Sequence, residues 1–293
     1  MRNAVVKATD ALLVVLALSA VGLAQTAPKA QAPRTTGRQI PEGYIADGVP
    51  KMPNPPGPAP KQDLSGAWVG PQNNKPDPVP PMTPAGEKIF KTRLAYLPNG
   101  FQAGNSDLPP TNDPFIICDP LGFPRNLLAH AVSSRGGTLF GSAPGRIIIN
   151  YEQQRVWREI WMDGRKLPEK VDARGYPDSR FYGYSVGHWD GDNTLVIDTT
   201  GVDERAWLDE AGHPRSSSAR LQERYNRLDQ YNMVVTVTVD DPKYYTKPWT
   251  FMNAHFYWMK AQEFAETICV PSEGIEYRDT LAKPSGIPVQ SPN

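Results

Sequence analysis

The chain has 293 residues and carries 31 basic and 31 acidic side chains, so its formal charge at neutral pH is zero. A balanced chain offers no field to draw in nucleic acid or anionic lipid, and no basic stripe interleaved with aromatic residues is present, which excludes both partner classes from the expectation. With 31 prolines, 24 glycines and two cysteines, it reads as a loop-rich domain with one possible crosslink.

Arg2 and Lys7 precede an apolar run from Ala11 to Ala24, with the small residues Gly22 and Ala24 at its end. A charged start, a short apolar middle and a small-residue end predict a secretory signal peptide over 1–24, cleaved after Ala24. The run is shorter than the roughly 20 residues a spanning helix needs, so no membrane span is expected in the mature protein. The protein is then periplasmic or secreted. Residues 25–62 are rich in Pro, Ala, Gln and Lys and predict a disordered linker, because they offer too little apolar surface to offset ordering entropy. A single domain is expected over 63–280 and a flexible tail over 281–293.

Within that domain, Gly66-Ala67-Trp68 opens the first strand. Thr83-Pro84 supplies a helix N-cap and a first-turn proline, which predicts one short helix over 84–97. Residues 98–125 read as loop. Strand signals then dominate: Gly137–Phe140, Arg146–Tyr151, Val156–Met162, the stretch 181–200, Leu221–Leu228, Met233–Val239 and Trp249–Met259. That makes eight or nine short strands, mostly joined as hairpins and without βαβ alternation. The expected fold is mainly β, an antiparallel up-and-down barrel, with a strongly bent sandwich as the alternative.

The central hairpin turns at Asp190-Gly191, where glycine accepts the positive φ of a tight turn. Before the turn, Tyr182, Tyr184, Val186 and His188 share one face, while Gly183, Ser185, Gly187 and Trp189 share the other. Gly183 to Gly187 also spells the G-x-S-x-G of serine hydrolases, with Asp198 or Asp203 and then His213 or His255 following in the right order. The motif needs a strand-to-helix turn, and here strand continues instead. The glycines are better read as relief for a neighbouring strand or for Trp189.

His130, His188, His213 and His255 are isolated and lack metal-binding spacing, and the Asp190–Asn193 turn lacks the long loop and terminal Glu of a calcium site. No metal and no cofactor are expected. Cys118 and Cys269 are expected to form a disulfide in an oxidising compartment; the competing reading is a catalytic thiol.

Several polar residues sit on otherwise apolar strands: Arg158 between Val156 and Ile160, Glu223 between Leu221 and Tyr225, Asp198 near Val196, and His255 with Phe251 and Tyr257. Inside a barrel such groups must pair with one another or bind something. One reading is a small-molecule site lined by Tyr184, Arg158, Glu223, Asp198, His255 and Tyr257. Glu223, Asp198 and His255 are then the acid–base candidates, with Ser185 a less favoured nucleophile. The other reading is a structural network, Glu223 with Arg158, that sets strand register and plugs the barrel. Trp249 and Trp258 either fill the core or stack a sugar. The expected function is binding of a small, partly apolar molecule. The alternatives are an enzyme using the same cavity and a structural or interaction protein, with the oligomeric state undetermined.

Cys118-Asp119-Pro120-x-Gly122-x-Pro124-Arg125, Asp163-Gly164-Arg165, Trp189-Asp190-Gly191-Asp192-x-x-Leu195-Val196-Ile197-Asp198-Thr199, Glu223-Arg224-Tyr225 and Asp241-Pro242-x-x-Tyr245-Thr246-x-Pro248-Trp249 together resemble an uncharacterised family of exported bacterial proteins, over residues 64–275. The resemblance implies one exported domain and no particular chemistry. Separately, Gly66-Ala67-Trp68 and the hairpin count resemble lipocalin-like barrels, in which the tryptophan closes one end of the core.

Overall fold

The computed structural model describes residues 55–95, 111–132, 137–169, 171 and 180–259, with the single positions 264, 269, 270, 272, 276 and 280. The expected signal peptide over 1–24, most of the linker and the tail over 281–293 lie outside the described residues.

Nine strands close into a barrel: β1 (Gly66–Gln72), β2 (Gly137–Ala143), β3 (Arg146–Tyr151), β4 (Trp157–Trp161), β5 (Tyr184–Asp190), β6 (Thr194–Thr200), β7 (Arg220–Arg227), β8 (Asn232–Asp240) and β9 (Trp249–Trp258). Each pairs with its neighbour in sequence, and β9 closes on β1. The clearest alternation is in β8, where Met233, Val235, Val237 and Val239 are fully buried and the residues between them are partly exposed. The β-branched residues suit that pleated, half-buried surface.

The expectation of a wholly antiparallel sheet is corrected at one place: β4 and β5 run parallel, with Ile160 opposite Ser185 and Trp161 opposite Val186. There is a geometric reason. If nine strands simply alternated in direction, the first and last would meet parallel at closure. A single parallel pair restores the parity and lets β1 and β9 join antiparallel. The return from β4 to β5 is not a hairpin; it uses the chain between Met162 and Gly183. Gly187 makes room for this pairing, since a Cβ there would lie 2.7 Å from Met162 Sδ and 2.9 Å from Ile160 Cγ2.

The helix α1 (Pro84–Phe90) starts where expected, with the Thr83 hydroxyl accepting from the Gly86 N–H at 3.2 Å. It stops short of residue 97 because Arg93 is drawn off to the carbonyls of Gly212 (3.3 Å) and His213 (3.1 Å). A second helix, α2 (Arg125–Val132), was not expected. Pro124 in front of Leu127, Leu128 and Ala131 is the sequence signal for it.

At the end where β1 begins, Trp68 is wholly buried and donates its indole N–H to Leu64 O at 2.8 Å. The Arg227 guanidinium lies 4.9 Å from the ring centroid and donates to the carbonyls of Asp63, Asp229 and Gln230. Trp68 thus occupies the end-closing place anticipated for it. Contact with the barrel already begins within the stretch 25–62: Gly57 O accepts from Gln230 N–H at 2.9 Å, and Gln62 N–H donates to Asp192 O at 2.6 Å. Cys118 and Cys269 form the expected disulfide, 151 residues apart in sequence. Among the described residues no helix is long and apolar enough to cross a membrane.

Candidate functional site

At the opposite end of the barrel, residues 113–132 form a plug. Its Leu121, Phe123 and Leu127 are buried with the barrel core. A buried bidentate ion pair joins Arg125 to Asp113 (2.8 and 2.5 Å). Gln154, in the β3–β4 loop, accepts from Leu121 N–H at 2.9 Å and donates to Asp119 O at 3.2 Å. From the 201–219 loop the fully buried Arg215 reaches the carbonyls of Asp203, Phe123 and Phe181. Phe123 N–H also donates to Phe181 O, in the chain before β5, at 3.2 Å, so the plug is held by polar contacts to three separate barrel loops and by the disulfide at Cys118.

Beneath the plug lies a buried polar cluster. Arg158 on β4 forms a two-pronged pair with Glu223 on β7 at 2.8 and 3.1 Å, with side-chain exposures of 2% and 0%. The same guanidinium donates to Tyr151 Oη (3.0 Å), Ser185 Oγ (2.9 Å) and Thr199 Oγ1 (3.0 Å), and the Phe123 ring of the plug covers it at 3.9 Å. Glu223 also accepts from the Tyr225 hydroxyl at 2.6 Å. The register explains the convergence. Ser185 pairs with Thr199, Ile197 with Glu223 and Ile149 with Arg158, so alternation turns all these side chains inward.

Burial works against the Arg158 charge, but the adjoining Glu223 carboxylate outweighs it and holds the guanidinium above its ordinary value. Burial pushes the Tyr151 phenol up to about 12 and Tyr225 well above its usual range. Both phenols therefore stay protonated at neutral pH and serve as neutral hydrogen-bonding groups.

Of the sequence candidates, Arg158, Glu223 and Ser185 meet in this cluster. Tyr184, Asp198, His255 and Tyr257 do not, and their assignment to the interior is corrected. Tyr184 lies on the outer face, where Arg165 donates to its hydroxyl at 2.9 Å. Asp198 accepts from Gln222 at 2.9 Å on the exposed side. Leu195, Val196 and Ile197 are all buried, which erased the alternation that would have marked the inward face of β6. In β9 a bulge separates Val237–Met252 from Thr238–Thr250 in the pairing, so Phe251 is no guide to His255 and Tyr257. A one-residue slip reverses the face of everything beyond it. The inward residues there are Met252, Ala254 and Phe256. The three acid–base candidates therefore share no site. Ser185 stands within a strand that runs on to Asp190, with no nucleophile elbow. Trp249 fills the core at 5% exposure, whereas Trp157, not singled out from sequence, is 61% exposed. Asp190 and Asp192, weighed as calcium ligands, face Arg224 (2.6 Å) and Lys61 (2.9 Å). No group of three metal-ligating side chains occurs among the described residues.

Sequence reasoning missed the plug's contribution. Asn126 of α2 is fully buried, and its side chain adjoins the Tyr151 hydroxyl. Thr138, buried on β2, is the cross-strand partner of Tyr151. Asn126 is a hydrogen-bonding neighbour of the Tyr151 hydroxyl, whereas Thr138 Oγ1 and Arg158 Nε have no hydrogen-bond partner among the described residues. Each such atom costs about 1–3 kcal/mol if left unmade. Arg158 and Asn126 thus meet at the Tyr151 hydroxyl, with the Phe123 ring covering the guanidinium.

A second polar group, at the mouth, has a structural role. Asp209 lies 2.6 Å from His213 Nδ1 and accepts from the backbone N–H groups of Ala211 (3.0 Å) and His213 (3.1 Å), while the His213 ring stacks on Phe90. Burial would raise the Asp209 carboxyl, but the His213 hydrogen bond, its charge and the backbone donors hold it below the usual carboxylate value. A depressed folded-state value stabilises the fold above the unfolded value of about 3.9, and that stabilisation is lost as pH falls through the folded one. Chemical denaturation below about pH 4 should therefore show a steeper loss of stability for the wild type than for Asp209→Asn. Parallel profiles would remove the assignment.

No family model matches the chain, and no curated protein matches it.

Proposed function

We propose that this chain is an exported β-barrel that holds a small, partly apolar molecule in its interior. The observation that carries the reading is the closed barrel with a buried polar cluster inside it, in which Thr138 Oγ1 and Arg158 Nε have no hydrogen-bond partner among the described residues. A compact group of convergent polar atoms among apolar walls is the usual form of a small-molecule site. The rest of the interior is filled by Trp68, Phe140, Ile149, Ile160, Leu195 and their neighbours, all nearly or fully buried, so the occupant is small. Export is supported by the signal-peptide pattern over 1–24, the Cys118–Cys269 disulfide and the resemblance to exported proteins.

The test is native mass spectrometry on protein purified gently from its own periplasm or medium, set against the denatured mass. An added non-covalent mass on the native species is the expected result. A bare native mass would sink the container reading in favour of a second one, in which the cluster is purely structural. That reading has its own support: both Glu223 oxygens and both terminal nitrogens of Arg158 are already engaged.

A further inference from the structure

The barrel wall is not equally strong all the way round. Every other pair of neighbouring strands is antiparallel and in register over three or more residue pairs. The β4–β5 join is parallel and has two, Ile160 with Ser185 and Trp161 with Val186. Parallel pairing is also slightly the weaker kind per residue. Past Trp161 the two strands separate. Met162 N–H donates to Gly145 O at 2.9 Å, in the β2–β3 turn, while β5 runs on to Asp190 beside β6. Gly187 to Asp190 therefore have no strand on their β4 side among the described residues.

Side chains replace the missing backbone pairing on both faces of this join. Inside, Arg158 of β4 reaches across it to Ser185 Oγ on β5 (2.9 Å), Thr199 Oγ1 on β6 (3.0 Å) and Glu223 on β7 (2.8 and 3.1 Å). Outside, the Arg165 guanidinium lies 3.6 Å from the Trp161 ring centroid on β4 and donates to Tyr184 Oη on β5 at 2.9 Å. Asp163 holds that guanidinium in place, accepting from its Nε at 2.8 and 3.0 Å. Further along the same connection, Pro168 O and Glu169 O accept from Arg220, at the start of β7, at 3.2 and 3.1 Å. We infer that the β4–β5 join is a seam at which the barrel opens first, clasped by Arg158 within and by Arg165 without. The clasps are unequal: the inner pair is buried, whereas Arg165 and Asp163 are partly exposed and their attraction is screened by water. Parting here brings water to Ser185 and Arg158, while Trp68 at the end where β1 begins and the Cys118–Cys269 bond stay in place. The device stands whether or not the interior holds a molecule.

The experiment is native-state hydrogen exchange on the mature, oxidised protein, read at the seam-facing amides of 157–161 and 184–187 and at those of Met233–Val239 in β8. The seam amides should exchange at least about tenfold faster than β8, because they open without global unfolding. Ser185→Ala removes one hydrogen bond across the seam and leaves Arg158 on Glu223. It should speed seam exchange by about three- to tenfold, the net strength of one such bond, with β8 unchanged. Arg165→Ala, a substitution at the surface, should speed it by about threefold and serves if Ser185→Ala does not fold. Seam amides as slow as those of β8 would overturn the inference, as would β1–β9 amides that exchange faster than the seam. So would variants that leave the seam unchanged or that accelerate β8 equally.

Discussion

Glu223→Gln is expected to destabilise the folded protein by about 3–5 kcal/mol, read as a lowered urea midpoint at unchanged slope. The substitution keeps the shape of the side chain and removes only its charge. Arg158 is then left as a buried cation with hydroxyls around it and no anion, 2% exposed and covered by Phe123. A domain has about 5–15 kcal/mol of stability in all, so this loss is close to unfolding. The magnitude is a penalty for stranding the partner and does not measure what the pair contributes net. Accordingly, the double substitution Arg158→Met with Glu223→Gln should recover much of the loss, since replacing both charges of a buried pair is often near neutral. A single Glu223→Gln variant within about 1 kcal/mol of wild type would mean that the charge is screened by solvent, contrary to the burial described.

Converting Cys118 and Cys269 together to alanine is expected to cost about 5 kcal/mol, the chain-entropy value for closing a loop of this length. With a sequence separation of 151, the bond restricts the unfolded chain far more than a local crosslink would. The effect should have a local part as well. Cys118 begins the segment that leads through Leu121 and Phe123 into α2, so its loss should raise amide exchange in 113–128 before it raises exchange in β7 and β8. Urea midpoints of the oxidised wild type and the double variant, with hydrogen exchange at matched stability, test both parts. A midpoint change of less than about 1 kcal/mol would show that the unfolded chain retains contacts between the two segments. Uniform exchange across plug and barrel would show that they open as one unit.

Much of this architecture was legible in the chain. Eight or nine short strands were legible, from β-branched runs such as Val234–Val239, from Asp190-Gly191 and comparable turns, and from Pro242 beyond β8. Thr83-Pro84 marked the start of α1. The pairing of Arg158 with Glu223 was legible as one of two readings, because charges on opposed apolar strand faces have few other options. The facing of Tyr184, Asp198, His255 and Tyr257 was not. Alternation conveys facing only when one side of the strand is exposed, and Leu195-Val196-Ile197 is buried on both. The bulge at Phe251 depends on how β9 meets β8, and it reversed the phase for the residues after it. The core choice in β5 also ran against side-chain size: the face with Gly183, Ser185 and Gly187 turned inward because β4 packs against Gly187, while Tyr184 went outside to Arg165.

By itself, then, the amino-acid order determined the strands, their turns, the near-neutral charge and the two half-cystines, since all of these follow from local propensity and composition. Tertiary structure alone decided the parallel β4–β5 pair, the inward faces and the placing of Asn126 beside Tyr151. The parity of a closed ring of nine strands, the face a strand presents and the meeting of a helix with a barrel mouth are relations between distant segments, and no local run of residues contains them.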